Sequence, residues 1–156
     1  AYLAENPQSA LLGPFGRDKN CNPAKLVKRY PTLLDLFLRG FAPGFIKNRF
    51  AERLAYYECS DLDDLRRVQV PIISGCMMLG RTDLLQQIGG FDPSFFLYFE
   101  DFDLSLRASV LGHVIYLPSM KIIHHGGQAA TKGPLHIAFF VSSAIRFFNK
   151  HGWRFF

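Results

Sequence analysis

The chain has 156 residues, of which 49% are hydrophobic and 20% charged, and a mass of 17.7 kDa. That length supports one domain with its own core, and the ordinary apolar content excludes disordered, collagen-like and low-complexity classes. Lys and Arg outnumber Asp and Glu by 18 to 13, a net charge of +5. Nine of these basic residues lie within residues 17–53, interleaved with Phe and Leu. Such a segment indicates a polyanion or an anionic membrane surface as a neighbour.

The three cysteines form no C-x-x-C pair, so neither a disulfide framework nor a zinc ribbon is indicated, and a reducing compartment is favoured. No apolar run approaches the roughly 18–20 residues that cross a bilayer. We expect a cytoplasmic protein that is peripheral to the inner face of the cell membrane. The chain begins with Ala rather than Met. We therefore expect it to be the interior of a longer protein.

The first half of the chain predicts two helices after an amino-terminal strand. The predicted elements are a strand at residues 10–12 stopped by Gly13 and Pro14, a loop over residues 17–31, a helix over residues 32–41 capped by Thr32, and a helix over residues 45–57. These helices either pack on their own domain as a hairpin or place a basic amphipathic face on a membrane, and the pattern leaves both open.

The second half alternates strands and helices. The predicted elements are a buried strand over residues 70–79, a helix from Thr82 to Ile88 stopped by Gly89 and Gly90, a helix over residues 101–111, strands at 114–117 and 121–124, and a helix over residues 134–150. Asp103 and Arg107 lie one turn apart on the second of these helices, which predicts an ion pair. The alternation predicts an α/β domain.

The densest group of chemically useful side chains is FDPSFFLYFEDFDLSLR, residues 91–107. Its carboxylates lie among aromatic rings, which lower the local dielectric and raise a carboxyl pKa, as suits a general base near neutral pH. The alternative is that Asp101 and Asp103 only cap the helix. We expect a structural role for Asp103 in either case.

Two further segments are candidates for ligand contact. IIHHGG, residues 122–127, places two His after a strand, where they suit a metal or a phosphate, although ordinary surface histidines show the same pattern. SGCMMLGR, residues 74–81, places Gly75 in a predicted strand, where a missing side chain permits close approach to a ligand. The alternative there is a plain core strand, with Cys76 as a small packed residue.

Taken in order, these segments resemble one family. SGCMMLGR, IGGFDPSFFLYFEDFDLSLRASVLGH and VIYLPSMKIIHHGG resemble the second half of family 2 glycosyltransferases, especially the rhamnosyltransferase-like branch. KRYPTLLDLFLRG before them and SAIRFFNKHG after them are similar to the flanks of that branch. The resemblance covers nearly the whole chain.

The resemblance implies a partial GT-A (Rossmann-like) fold, the carboxy-terminal, acceptor-side half of a nucleotide-sugar transferase, with a mixed sheet and flanking helices. Residues 1–156 are then the carboxy-terminal part of a single glycosyltransferase domain, and residues 134–156 its terminal amphipathic helix and tail. The donor-binding half, with its Asp-x-Asp motif, is not in the sequence. We therefore expect the isolated chain to be inactive.

The resemblance also implies roles for individual residues. Asp101 matches the base that deprotonates the acceptor hydroxyl for inverting transfer, and Glu100 would orient the acceptor or the base. His124 matches a residue near the metal and diphosphate, with His125 the weaker candidate. The substrate-binding candidates are Ser74, Gly75, Asp92 and Arg107. The implied cofactor is a divalent metal, Mg or Mn, which needs the absent Asp-x-Asp motif for full coordination.

The implied partners are a nucleotide-diphospho-sugar donor, with rhamnose as the sugar expected for the branch, and a saccharide or lipid-linked acceptor of bacterial surface glycan synthesis. An anionic membrane surface and a homodimer are further expected partners. We expect no nucleic-acid partner, because no nucleic-acid-binding motif accompanies the basic charge. The alternative function is a non-catalytic binding or scaffold module derived from the same fold.

Overall fold

The computed structural model describes residues 2–125 and 133–156. The fold in this part of the chain is α/β, as predicted, with a mixed sheet flanked by helices. The helices are α1 (Tyr2–Glu5), α2 (Leu33–Gly40), α3 (Gly44–Arg49), α4 (Ala51–Tyr57), α5 (Thr82–Gln87), α6 (Glu100–Ala108) and α7 (Pro134–His151). The strands are β1 (Ser9–Arg17), β2 (Pro23–Ala24), β3 (Val27–Lys28), β4 (Val68–Gln69), β5 (Ile72–Ile73), β6 (Leu79–Gly80) and β7 (His113–Ile123).

The main sheet is built on β1 and β7, which run parallel to each other. β2 and β6 pair with β1, and β4 pairs with β7, all antiparallel. A second small sheet pairs β3 with β5, antiparallel. One cluster of buried apolar residues lies between the two sheets and α6, and it includes Leu11, Ile73 and Val114. These side chains hold the end of β5 against the main sheet and so prepare the site described below.

The predicted strand at residues 10–12 is longer than expected, and its predicted stop at Gly13 and Pro14 is wrong. β1 continues through both residues to Arg17. Pro14 has no N–H to donate, and the pairing with β7 shifts register between Pro14 and Phe15. Gly13 lies so close to β5 that a Cβ there would be 2.5 Å from the Ile73 side chain. β1 therefore accommodates Pro14 at the register shift with β7, and it needs Gly13 where Ile73 of β5 packs closely on it.

The same register shift explains why two predicted strands are one. β7 runs from His113 to Ile123 without a break, although residues 114–117 and 121–124 were expected to be separate strands around Pro118. Pro14 pairs with Leu117 and Phe15 pairs with Lys121, so the extra residues of β7 bulge out between those pairs. The predicted interruption is thus a β-bulge within one strand.

Two other predictions about the strands are wrong. Residues 70–79 do not form one buried strand, because the chain leaves the main sheet after Val70, pairs with β3 only at β5, and turns before β6. Pro71 lacks the N–H that a continuous ladder would need. Residues 17–31, predicted as loop, contain the short strands β2 and β3. These pairings join segments far apart in sequence, which local patterns do not report.

The predicted helix at residues 32–41 is confirmed as α2, with Thr32 as its N-cap. The Thr32 hydroxyl accepts a hydrogen bond from the backbone N–H of Asp35, and the Asp35 carboxylate accepts one from the N–H of Thr32. This reciprocal arrangement is a capping box. Asp35 is buried and pairs with Arg53 of α4 at 2.6 Å. Asp35 is buried on the same face as Leu36 and Leu38, so Phe37 and Phe41 on the other face remain about half exposed, at 52% and 48%.

The predicted helices at the carboxy-terminal side are also confirmed, as α6 and α7, with Pro134 in the first turn of α7 and Gly152 as its C-cap. The two helices pack together through a second buried cluster, which includes Phe99, Phe147 and Phe148. Within the described residues, no helix is both long enough and apolar enough to cross a bilayer.

Candidate functional site

Asp101 lies in the first turn of α6, and both oxygens of its carboxylate are held by backbone N–H groups. The N–H of Gly75, in the loop after β5, donates to Oδ2 at 2.8 Å. The N–H of Phe102 donates to Oδ1 at 2.9 Å. The side chain is therefore fixed in one orientation by a contact within its helix and a contact from a distant loop. Each oxygen retains a further lone pair for another donor.

The protonation equilibrium of Asp101 is displaced toward neutral pH. Burial raises its pKa from 3.8 to about 6, and the nearby charge of Glu100 adds to that rise, whereas the hydrogen bond from Gly75 opposes it. A carboxyl group with such a pKa is still mainly ionised at pH 7 and is a stronger base than an exposed Asp. The arrangement can therefore accept a proton from a bound hydroxyl group.

Glu100 precedes Asp101 and contributes an unusual feature. Its Oε2 atom is buried and, among the described residues, has no hydrogen-bond partner. Most buried polar atoms in proteins are paired, so an unpaired carboxylate oxygen beside a candidate base marks a place where a ligand or a water can bind. This observation agrees with an orienting role for Glu100 but does not test it.

The backbone before these two carboxylates is strained. Tyr98 and Phe99 both have left-handed conformations, with φ of 67° and 64°. Non-glycine residues adopt this region at a cost, and such residues cluster at functional sites. α7 holds the segment in place: the Phe99 ring lies 5.3 Å from the Phe147 ring, and the Ser143 hydroxyl donates to the Leu97 carbonyl at 2.7 Å.

A buried ionic network lies on the other side of α6. The Asp103 side chain is fully buried, and its carboxylate contacts Arg107, Lys150 and His151 at 2.7, 2.7 and 2.8 Å. Burial alone would raise the pKa of Asp103, but the hydrogen bonds from these side chains outweigh it and hold that pKa below its usual value. The predicted pair with Arg107 is confirmed, and Asp103 has the structural role expected of it.

Asp92 and Arg107, both predicted to bind substrate, lie in this same network. Arg107 also donates to the carbonyls of Ile88 and Gly90, each at 2.6 Å. Asp92 pairs with Lys150, and the hydrogen bond from that lysine holds the pKa of Asp92 well below its usual range. These contacts favour structural roles for both side chains, and their substrate contact stays a prediction.

Gly75 lies directly against Asp101, and Ser74, the other residue of this loop predicted to bind substrate, precedes it in the chain. A Cβ at Gly75 would be 3.2 Å from the Asp101 Cβ, so the absent side chain permits the close approach of the loop to α6. Ser74 fixes the same loop through its backbone, whose N–H donates to the Leu26 carbonyl at 2.7 Å. The structure thus brings Gly75 and Asp101 together, with Ser74 adjacent in the same loop.

His124 lies just past the end of β7, where its backbone N–H donates to the Arg17 carbonyl at 2.7 Å. Residues 126–132, which include the two glycines that end the IIHHGG segment, lie outside the described residues. Within residues 2–125 and 133–156, no three His, Cys, Asp or Glu side chains are grouped so that they could hold a metal ion. These residues therefore do not by themselves fit a metal site.

Ser105 is a residue of the site that the sequence analysis missed. Its hydroxyl donates to the Asp101 carbonyl at 2.7 Å and accepts a hydrogen bond from the N–H of Ile73 at 3.1 Å. The only sequence signal is its spacing of four residues from Asp101, which places both on one face of α6. That spacing does not reveal the contact with β5.

Comparison with known proteins supports the resemblance. No family model matches the chain. An N-acetylglucosaminyl-diphospho-decaprenol L-rhamnosyltransferase of Mycobacterium tuberculosis is 29% identical over 152 residues, which cover 94% of this chain and 48% of the relative. A rhamnosyltransferase of Escherichia coli K12 is 31% identical over 100 residues, covering 64% of this chain and 34% of the relative.

The chain is similar to bacterial rhamnosyltransferases. It spans about half the length of the first relative and about a third of the second. The alignment with the first relative includes nearly the whole chain, so the site around Asp101 and most of the two sheets belong to the shared part.

Proposed function

We propose that this chain is the acceptor-side part of a family 2 glycosyltransferase of the GT-A type, in which Asp101 is the catalytic base. The observation that carries the proposal is the carboxylate of Asp101, held by the N–H of Gly75 in a half-buried position that raises its pKa to about 6. The similarity to two rhamnosyltransferases supports the reaction class. The unpaired Oε2 of Glu100 beside it supports a ligand at this point.

In the proposed reaction, Asp101 accepts the proton of an acceptor hydroxyl while that oxygen attacks the anomeric carbon of the donor sugar. The new bond joins the acceptor oxygen to that carbon, and the bond from the carbon to the nucleotide diphosphate breaks. Attack from the side opposite the leaving group inverts the configuration. The proton remains on Asp101 until solvent removes it, and Glu100 orients the acceptor or the base.

The substrate classes follow from the named relatives. The first is named for transfer of L-rhamnose to an N-acetylglucosaminyl-diphospho-decaprenol, and the second is named a rhamnosyltransferase. We propose the same classes here: a nucleotide-diphospho-sugar donor, with rhamnose as its sugar, and a saccharide acceptor linked to a lipid diphosphate. The product would be an intermediate of bacterial cell-surface glycan synthesis.

A lipid-linked acceptor places the reaction at a membrane surface, and one face of the structure suits that position. Phe41 and Phe45 are exposed, at 48% and 75%, and the basic side chains of Lys47 and Arg49 follow on α3. The carboxy-terminal tail contacts the first turn of α2, at the other end of that helix, where the N–H of Leu33 donates to the Arg154 carbonyl at 2.9 Å. Exposed rings beside basic residues are typical of contact with anionic lipid.

A divalent metal, Mg or Mn, stays part of the proposal for the whole enzyme, with His124 as the ligand proposed from this chain and His125 as the weaker candidate. The described residues do not form a metal site by themselves. When bound, such an ion neutralises the departing diphosphate. No step that we derive for the residues of this chain requires it.

The test is the Asp101→Asn variant of the complete protein that contains this chain. Asn keeps the shape of the side chain and loses its basicity, so transfer should fall by a factor on the order of 10²–10⁴ while donor binding persists. Asp83→Asn, on the surface of α5, is the matched control and should retain activity. Full activity in Asp101→Asn would overturn the assignment, and Glu100→Gln would then test the neighbouring carboxylate.

A further inference from the structure

Ser105 joins two elements that carry the site. It is fully buried in α6, where its hydroxyl lies between the carbonyl of Asp101, at 2.7 Å, and the N–H of Ile73, at 3.1 Å. The Ile73 carbonyl is a more distant contact at 3.4 Å. One hydroxyl can donate one hydrogen bond and accept another, so this geometry uses both capacities. The Ser105 hydroxyl therefore links the end of β5 to the first turn of α6 through two hydrogen bonds.

Ile73, the residue of β5 that is hydrogen-bonded to Ser105, lies two residues before Gly75. Ile73 is the last residue of β5, and the chain turns immediately afterwards to bring the N–H of Gly75 within 2.8 Å of the Asp101 Oδ2. The loop packs closely on α6 at this turn, since a Cβ on Gly75 would lie only 3.2 Å from the Asp101 Cβ. A small displacement of β5 along α6 would therefore lengthen or misalign the bond to the carboxylate.

We propose that Ser105 is a positioning residue: through Ile73 it holds the backbone N–H of Gly75 on Oδ2 of Asp101, and so fixes the orientation of that carboxylate toward the acceptor hydroxyl. The catalytic part of this inference rests on the proposed function, because it takes Asp101 as the base. The chain of hydrogen bonds from Ser105 to Asp101 exists whether or not Asp101 is the base, and it is testable by itself.

Three titratable groups near Asp101 interact with it electrostatically. Glu100 precedes it on α6 and raises its pKa. Asp101 in turn raises the pKa of Tyr57 in α4 and that of Cys76, which follows Gly75 in the loop after β5. Burial raises the pKa of both Tyr57 and Cys76, so both are neutral when Asp101 titrates. All three groups remain in a Ser105 variant. A change in the pKa of Asp101 in such a variant is therefore attributed to the lost hydrogen bond between Ser105 and Ile73 and its effect on the bond from Gly75.

The first measurement needs no enzymatic activity. The titration of the Asp101 side-chain carboxyl carbon and the amide signal of Gly75 are followed by NMR in this 156-residue protein and in Ser105→Ala. Because the Gly75 hydrogen bond lowers the pKa of Asp101, its loosening should raise that pKa by roughly half to one unit, with a shift of the Gly75 amide. Ser105→Thr keeps a hydroxyl and should restore both signals.

Ser109→Ala is the matched control. Ser109 lies at the end of the same helix, and its hydroxyl donates to the Leu106 carbonyl at 2.7 Å, but it is exposed and makes no hydrogen bond to β5. It should leave the Asp101 titration unchanged. Ser105→Cys has a similar volume and a much weaker hydrogen-bonding group, so it supplies the same test if Ser105→Ala does not fold.

The second measurement is transfer by the complete protein over a range of pH. Ser105→Ala should lower kcat about three- to tenfold with the acceptor KM unchanged, and move the acidic limb of the profile upward with the pKa of Asp101. A folded Ser105→Ala or Ser105→Cys protein with wild-type NMR signals would overturn the inference. An altered titration together with an active Asp101→Asn enzyme would instead refute the proposed base, and with it the positioning role in catalysis.

Discussion

Nε2 of His151, the last residue of α7, lies 2.8 Å from Oδ1 of Asp103 in the first turn of α6. Lys150 contacts the same oxygen at 2.7 Å, and Arg107 contacts the other at 2.7 Å. A fully buried carboxylate thus binds the end of α7 to the start of α6, two residues from Asp101. The long terminal helix therefore stabilises the turn that carries the candidate base.

Replacing Asp103 by Ala should lower the free energy of unfolding by about 3–5 kcal/mol, because it leaves Arg107 and Lys150 without their buried counter-charge. Urea unfolding followed by far-UV circular dichroism measures this change. Asp83→Ala, which removes an ion pair with Arg81 on the surface, is the control and should change stability little. An equal decrease in the free energy of unfolding in the two variants would show that the buried ion pairs stabilise the protein no more than the surface pair does.

Replacing Asp101 by Asn should be more favourable for stability at pH 7 than at pH 4.5, by about 1–3 kcal/mol. Asn offers one carbonyl oxygen to the two N–H donors, and the comparison of the two pH values separates the titration from that lost hydrogen bond. The pKa of Asp101 is about 6 in the folded state and 3.8 as its ordinary value, so the folded state holds more protons between these values. Stability of the wild-type protein therefore decreases as pH rises from about 4 to about 6, and the decrease persists above. Asn does not titrate and removes this contribution.

Thermal unfolding of both proteins at pH 4.5 and pH 7 checks this prediction. The gain from Asp101→Asn should be larger at pH 7 than at pH 4.5. A gain that is the same at both pH values would contradict a raised pKa for Asp101.

Replacing Gly75 by Ala should reduce transfer by the complete protein on the order of tenfold, with a smaller effect on stability. The new Cβ would lie 3.2 Å from the Asp101 Cβ, so loop and carboxylate must move apart by a few tenths of an ångström. Gly44→Ala is the matched control, because a Cβ at Gly44 meets no atom within 4 Å. Steady-state kinetics of both variants measure the difference, and equal activities would contradict the close-approach argument.

The protein should bind vesicles that contain anionic lipid, and raised salt should weaken this binding by screening the basic residues. Phe45→Ser should reduce binding roughly tenfold, because Phe45 is 75% exposed beside Lys47 and would bury its ring in the interface. Leu65→Ser is the control, since Leu65 is equally exposed, at 80%, outside this face. Vesicle sedimentation measures both variants.

Equal sedimentation with neutral and anionic vesicles, or none with either, would rule out this membrane contact. In that case the exposed rings of α2, α3 and the carboxy-terminal tail would be explained by contact with another part of the protein or with a second copy.

The sequence by itself determined the features that depend on residues close together in the chain. Thr32 forms the expected cap of α2, Asp103 and Arg107 form the expected pair on α6, and Pro134 lies in the first turn of α7. Caps and pairs at one-turn spacing are decided by bonds within a single helix, so their residue types suffice to predict them. The acidic and aromatic composition of residues 91–107 likewise predicted a candidate general base in this segment.

Only the tertiary structure decided which partners those residues meet. Gly75 reaches Asp101 from 26 positions away, and Ser105 holds Ile73 from 32 positions away. The hydrophobic periodicity of the sequence predicts neither contact, because each depends on how β5 and the loop after it pack on α6. The left-handed backbone at Phe99 had no glycine to signal it, and packing on α7 maintains it. Long-range packing thus turned an acidic cluster in the sequence into one oriented carboxylate with a raised pKa.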